Sequence, residues 1–195
     1  MSDKKVIINR VYTRTGDEGL TSVVFGSKVS KSSDIVNLVG DLDELNSYLG
    51  LLSSNLSTSE ILALILEIQN RIFDIGALLA GSKKINFDQE IVDSLERYCD
   101  QYNDNLPELT SFVLPGGSKE ASICFLARAV CRRAERGFVK YIDSVIASNG
   151  SEVGAESLHN NFKFSLIYLN RLSDLLFIIS RYLNISAGNP EILWK

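Results

Sequence analysis

The sequence predicts an all-α protein, a bundle of five helices preceded by a loop, and three observations carry that prediction. Leu38, Leu42, Leu45, Leu49 and Leu52 recur at a spacing of three and four, the period of a helix face and not of a strand. Only three prolines interrupt 195 residues, so long helices are permitted. No segment shows a convincing alternation of apolar and polar residues, so no strand is expected. The composition, 45% hydrophobic and 23% charged, is ordinary for a soluble globular chain, and the length suffices to bury a core without disulfides or metal. A single helical domain over residues 1–195 is expected: a loop region over 1–33, the bundle over 34–185 and a tail over 186–195.

Residues 12–33 are rich in Gly, Ser, Thr and charge with little periodicity, and read as an ordered or ligand-ordered loop. The first helix spans about 33–56, with Asp43, Asn46, Ser47 and Gly50 on a stripe beside the leucines. Ser57 or Thr58 stands ahead of Glu60 as a cap for the second helix, which ends at Gly81. The third covers about 88–106 and stops before Pro107. "SFVLPGGSKEAS" supplies a Pro-Gly-Gly turn and a Ser-x-x-Ala start for the fourth helix, which reaches about residue 147. After a polar link at Asn149 and Gly150, the last helix covers about 153–183. Its stretch over 162–182 is apolar nearly all round and belongs at the centre of a bundle. Asn170, Asp174, Phe177 and Arg181 form one stripe there, and the polar members need partners if buried.

The formal net charge of −4 argues against nucleic acid as an obligatory partner, since phosphate backbones are held by an excess of Lys and Arg. Cys99, Cys124 and Cys131 are odd in number and fall in predicted helices, which indicates neither a disulfide framework nor a CxxC metal site and fits a reducing compartment. The start, MSDKKVIINR, lacks the apolar core of a signal peptide, and no later run reaches the ~18 apolar residues of a membrane span. The expectation is a cytoplasmic protein with no membrane partner. Walker-type, dinucleotide-binding and HExxH motifs are absent. Glu156-x-x-His159 resembles half of a di-iron bundle site, which needs a second such pair and further glutamates.

Three stretches carry candidate chemistry. In "YTRTGDEGLT", Thr13, Thr15 and Thr21 offer hydroxyls, Gly16 and Gly19 let main-chain N–H groups approach an anion, and Arg14 adds charge; the segment is either an anion cradle or an exposed turn. Lys28 and Lys31 follow closely and are either phosphate ligands or solvated surface. In "DLDELNS", Asp43, Asn46 and Ser47 form a polar stripe that fits an ion pair with an arginine elsewhere or a ligand contact. In "ARAVCRRAER", Arg128, Arg132 and Glu135 share one helix face while Val130, Ala134 and Phe138 occupy another. The first set is either an intrahelical salt-bridge ladder or a site; Asn170 and Asp174 are either a satisfied internal pair or functional.

Taken in order, "YTRTGDEGLT", "VGDLDELNSYLG", "FVLPGG", "ARAVCRRAER" and "YLNRLSDLLF" resemble the ATP:cob(I)alamin adenosyltransferases of the propanediol-utilisation type, from about residue 11 to the terminal "EILW". The resemblance implies a five-helix bundle assembled as a homotrimer, with ATP between neighbouring subunits. It implies transfer of the 5′-deoxyadenosyl group of ATP to cob(I)alamin with release of triphosphate, Mg²⁺ acting mainly through the phosphates. By the same likeness Thr13, Arg14, Thr15, Gly16, Asp17, Gly19, Thr21, Lys28 and Lys31 wrap the phosphates, and Arg132, Glu135 and Asn170 contact ATP. Arg128 resembles the arginine that pairs with an aspartate of an adjacent subunit, here Asp43. Phe112 resembles the aromatic that occupies the lower face of the corrin and keeps its dimethylbenzimidazole tail off cobalt, and Asp174 is expected at the corrin. A cobalamin reductase and an adenosylcobalamin-dependent acceptor enzyme are the implied partners. Phe125, Lys28 and Ile35 depart from the family pattern, where histidine, arginine and a further basic residue are common. A helical regulator that binds nucleotide without chemistry, and a ferritin-like oxidase, are the rival readings; the first has no use for an aromatic at Phe112.

Overall fold

Five helices form in the computed structural model, α1 (Asp34–Ser53), α2 (Ser59–Leu79), α3 (Gln89–Asn103), α4 (Lys119–Asn149) and α5 (Ala155–Ser186). The structure describes residues 12, 14, 16–22, 28–149 and 155–195, and within them leaves aside the side chains of 146, 148, 149 and 155–159. The predicted Glu156–His159 pair, the start of the last helix near 153, and Thr13 and Thr15 lie outside the described residues or side chains.

The leucine stripe of α1 is the core: Leu38, Leu42, Leu45, Leu49 and Leu52 are each at most 2% exposed. The helices pack in the order α2, α1, α4, α5, α3, with α4 and α5 in the middle, as the nearly all-round apolar character of α5 requires. Small residues on α4 allow the close approach of α5. Cys124, Ala127, Cys131 and Ala134 are fully buried, and the two thiols donate to the carbonyls of Leu176 and Leu169 at 3.1 and 3.2 Å. Burial alone pushes the Cys124 thiol far up, and it dominates the upward shift at Cys131, so both behave as packing groups.

Two sequence expectations need correction. Leu20–Ser22 (β1) and Lys28–Ser30 (β2) pair as an antiparallel hairpin, Thr21 opposite Val29. Each strand has three residues, too few for an alternating pattern to register in sequence. The hydroxyl of Thr58 makes no capping bond at α2, whose first two residues, Ser59 and Glu60, are exposed. The other punctuation holds. Gly81, at φ 85°, ends α2 with Ser82 N–H donating to the Ala77 carbonyl at 2.8 Å, a left-handed stop that favours glycine. Ser118 Oγ accepts from Ala121 N–H at 3.1 Å and starts α4.

Candidate functional site

The Pro-Gly-Gly turn before α4 folds back onto the end of α5, because the Asn184 side chain holds it from both sides. Asn184 Nδ2 donates to the Gly116 carbonyl at 2.9 Å and its Oδ1 accepts from Ser118 N–H at 2.8 Å. A Cβ at Gly117 would lie 2.0 Å from Asn184 Oδ1, and its φ of +101° also demands glycine. This turn carries the preceding segment, with Phe112, over an open cleft of about 680 Å³. The cleft's aromatic lining is Phe112, Phe125, Phe177 and Trp194, with Arg128 beside them. Phe112 is 78% exposed and faces Trp194 at a centroid distance of 6.3 Å. An exposed aromatic pair over an apolar hollow is what a flat, largely apolar ligand requires.

Arg128 enters the same cleft. Its guanidinium lies 5.4 Å from the centroid of the Phe177 ring, a cation–π placement, and its Nε is buried without a hydrogen-bond partner. No ion pair joins Arg128, Arg132 and Glu135 among the described residues, so the salt-bridge ladder is not what the face is for. Arg133, on the neighbouring face, pairs instead across to α1 with Asp41 at 2.9 Å and with Glu44. The predicted ion pair of the "DLDELNS" segment therefore exists, but through Asp41 and Glu44. Asn46 is structural: it is buried, and its amide and that of Gln69 donate to each other's carbonyls at 3.3 and 3.1 Å. Ser47 Oγ is spent on the Asp43 carbonyl at 2.8 Å. Asp43 is exposed and makes no ion pair among the described residues.

A second polar group crosses three helices. Asn170 Nδ2 donates to Glu135 at 2.8 Å, Arg171 Nη1 donates to Asn170 Oδ1 at 2.8 Å, and Arg171 Nε donates to Glu96 at 2.7 Å. The hydrogen bond that Arg171 donates to Glu96 is the main cause of the upward shift at Arg171. Asn170 is thus satisfied by Glu135 and Arg171 and not by Asp174, which is exposed; the internal Asn170–Asp174 pair is not formed. Asp174 does not line the cleft of Phe112 either.

The third group is the hairpin. Lys31 N–H donates to the Gly19 carbonyl at 2.9 Å, and Gly19, at φ +79°, donates to the Gly16 carbonyl at 3.3 Å. A Cβ at Gly16 would sit 3.0 Å from Lys31 Nζ, so the ammonium rests against bare backbone. Arg14 takes φ 59°, with its guanidinium 5.8 Å from the Tyr12 ring centroid. Asp17 and Lys28 are exposed, and Thr21 is half-buried within β1. Among the described residues no hydrogen bond joins this hairpin to the arginines of α4.

Sequence reasoning gave Phe112 and Arg128 separate roles, at the corrin and at the subunit seam, and the structure brings both to one cleft. Sequence reasoning missed Trp194 and Phe177 as lining and treated Phe125 only as a departure. The stripe through 170, 174, 177 and 181 contained Phe177, and the terminal "EILW" contained Trp194, so the signals were present without a cleft to join them.

The chain matches the family described as cobalamin adenosyltransferase over residues 11–183. It is 39% identical to a cobalamin adenosyltransferase of Cupriavidus metallidurans, covering 96% of this chain and 95% of the relative. It is 39% identical to a corrinoid adenosyltransferase of Bacillus subtilis, over 95% and 92% of the two chains. Among solved structures it is similar to a phenylalanine-to-histidine variant of the PduO-type ATP:corrinoid adenosyltransferase of Lactobacillus reuteri, complexed with cobalamin and ATP. The TM-score there is 0.81 and the identity 31%, over 95% of this chain and 97% of that one. With the five-helix bundle, the aromatic cleft and these likenesses in agreement, the chain belongs to the cobalamin adenosyltransferase family.

Proposed function

We propose that the protein transfers the 5′-deoxyadenosyl group of ATP to the cobalt of cob(I)alamin, releasing triphosphate and forming adenosylcobalamin. The observation that carries this reading is the aromatic cleft under Phe112 with Arg128 at its side. The nucleophile belongs to the corrinoid substrate, so the work of the protein is placement and charge. Phe112, projecting over the hollow, covers the lower face of the macrocycle and keeps the dimethylbenzimidazole tail off cobalt. Without that donor the Co(II) to Co(I) reduction becomes easier, since the axial ligand governs the potential. Glu135 and Asn170, oriented by Arg171, hold the nucleoside end of ATP, and Arg132, exposed beside them, meets the departing triphosphate.

The phosphates are wrapped by the hairpin loop, with Gly16, Gly19 and Lys31 already in contact and Thr13, Arg14, Thr15, Asp17, Thr21 and Lys28 supplying the rest. ATP sits between the loop of one subunit and the helices of its neighbour in a homotrimer, as the family resemblance implies. Arg128 and Asp43 then pair across that seam, each being without an ion-pair partner among the described residues. Among the described residues no group of three His, Cys, Asp or Glu is gathered to hold a cation, so the donors that fit Mg²⁺ are phosphate oxygens and water. Bound there, Mg²⁺ neutralises charge on the leaving triphosphate. Action in the cytoplasm is part of the same reading; no described helix is long and apolar enough to cross a membrane.

The test is to incubate purified protein with ATP, Mg²⁺ and chemically reduced cobalamin and to follow the absorption spectrum of the alkylated product. Product formation that requires both ATP and protein is expected; a folded protein that forms none would overturn the reading.

A further inference from the structure

The last residues of the chain run alongside the segment that carries Phe112. Trp194 N–H donates to the Phe112 carbonyl at 2.7 Å, Leu114 N–H donates to the Ile192 carbonyl at 2.8 Å, and Val113 bridges Leu193 in antiparallel register. Ser111 Oγ donates to the Trp194 carbonyl at 2.8 Å. Both neighbours of the Phe112 side chain are therefore held by the tail and not by a helix.

The tail is itself anchored by one buried ion pair. Arg181 Nε and Nη2 donate to the two carboxylate oxygens of Glu191 at 2.6 and 3.1 Å, and Nη2 also donates to the Pro107 carbonyl at 2.7 Å. The side chains are 4% and 12% exposed, in contrast to the half-exposed pairs elsewhere. A forked, charge-assisted contact of this kind fixes direction as well as position. It ties three pieces together at one point: the end of α5, the start of the Phe112 segment at Pro107, and the tail.

We infer that Arg181 and Glu191 are positioning residues for the corrinoid side of the reaction. Through the tail they hold the backbone of Phe112 so that its ring stays over the cleft. Neither is among the residues that line the cleft, and an exposed ring on an untethered loop would spend most of its time elsewhere. The inference rests on the activity proposed above, and within that activity it concerns one step, the exclusion of the corrinoid's own base from cobalt. A corrinoid that lacks this base presents nothing to exclude, which separates positioning from general damage.

The experiment compares cobalamin with cobinamide, which has no dimethylbenzimidazole tail, each supplied as Co(II) with ATP and a common reductant. Glu191→Gln keeps the size of the side chain but removes its charge. It is expected to lower turnover of cobalamin about tenfold or more, ~1.4 kcal/mol of barrier, while turnover of cobinamide falls far less. Arg181→Lys, which keeps the positive charge but loses the forked contact with Glu191, is expected to show the same discrimination. The electronic spectrum of protein-bound Co(II)–cobalamin with ATP should show less of the four-coordinate form in both variants. Turnover of cobalamin equal to the parent in both, or equal losses with both corrinoids, would overturn the inference. A parent inactive with either corrinoid would overturn the activity and this inference with it.

Discussion

The side chain of Phe112 is exposed over a hollow walled by Phe125, Phe177 and Trp194, and a contiguous exposed apolar patch of this kind marks a binding groove. Phe112→Ala removes a ring that contributes little to the core, so the fold and ATP affinity should persist. Turnover from Co(II)–cobalamin should fall by roughly two orders of magnitude or more, ~2.7 kcal/mol. Calorimetric titration with ATP beside a rate measurement checks both halves, and unchanged turnover would remove Phe112 from this role. The residues of this site differ in how well the sequence revealed them. Arg128 and Phe112 lie in distinctive local patterns, whereas Phe125 and Phe177 look like ordinary core aromatics on apolar helices. Only the packing of α4 against α5, which sets their rings 6.3 Å apart, makes them lining. Asp41 and Glu44, which hold Arg133, were indistinguishable in sequence from Asp43 because all three sit within one helical turn.

At the scale of elements, helices were legible where a long apolar stripe and strong punctuation coincided. The leucines of α1, the Gly81 stop and the Ser118 start each state a physical requirement that a short window of sequence contains. The hairpin was not legible, since its strands are short and its pairing joins residues across a connecting loop. The seating of the turn before α4 against the end of α5 depends on Gly117. Gly117→Ala would drive a methyl into the amide of Asn184 and force a left-handed backbone on a residue that resists it. A loss of about 2–4 kcal/mol is expected, to be read from denaturant unfolding midpoints. A variant as stable as the parent would mean that Asn184 can move aside without cost. The turn that carries Phe112 toward the cleft hangs on the same amide, so activity should fall further than stability alone accounts for.

The whole molecule was the least legible scale, because a single sequence carries no direct signal of which surfaces meet. The Arg128 guanidinium nitrogen, buried without a hydrogen-bond partner, and Asp43, exposed on another helix and without an ion pair among the described residues, are the two groups proposed to meet across the subunit seam. Asp43→Asn should shift the protein from trimer toward smaller species in analytical ultracentrifugation and lower activity, since removing one partner strands a desolvated charge. Exchanging the two residues, Asp43→Arg with Arg128→Asp, should restore part of the assembly; an unaltered trimer in the single variant would refute the pairing.

Trp194, the chain's sole tryptophan, stands beside Phe112 at the mouth of the cleft, so the protein carries an unlabelled optical gauge of its own occupancy. Corrinoids absorb light in the region where indole emits, and their arrival should dim that emission in proportion to the filled fraction, whereas triphosphate alone should leave it bright.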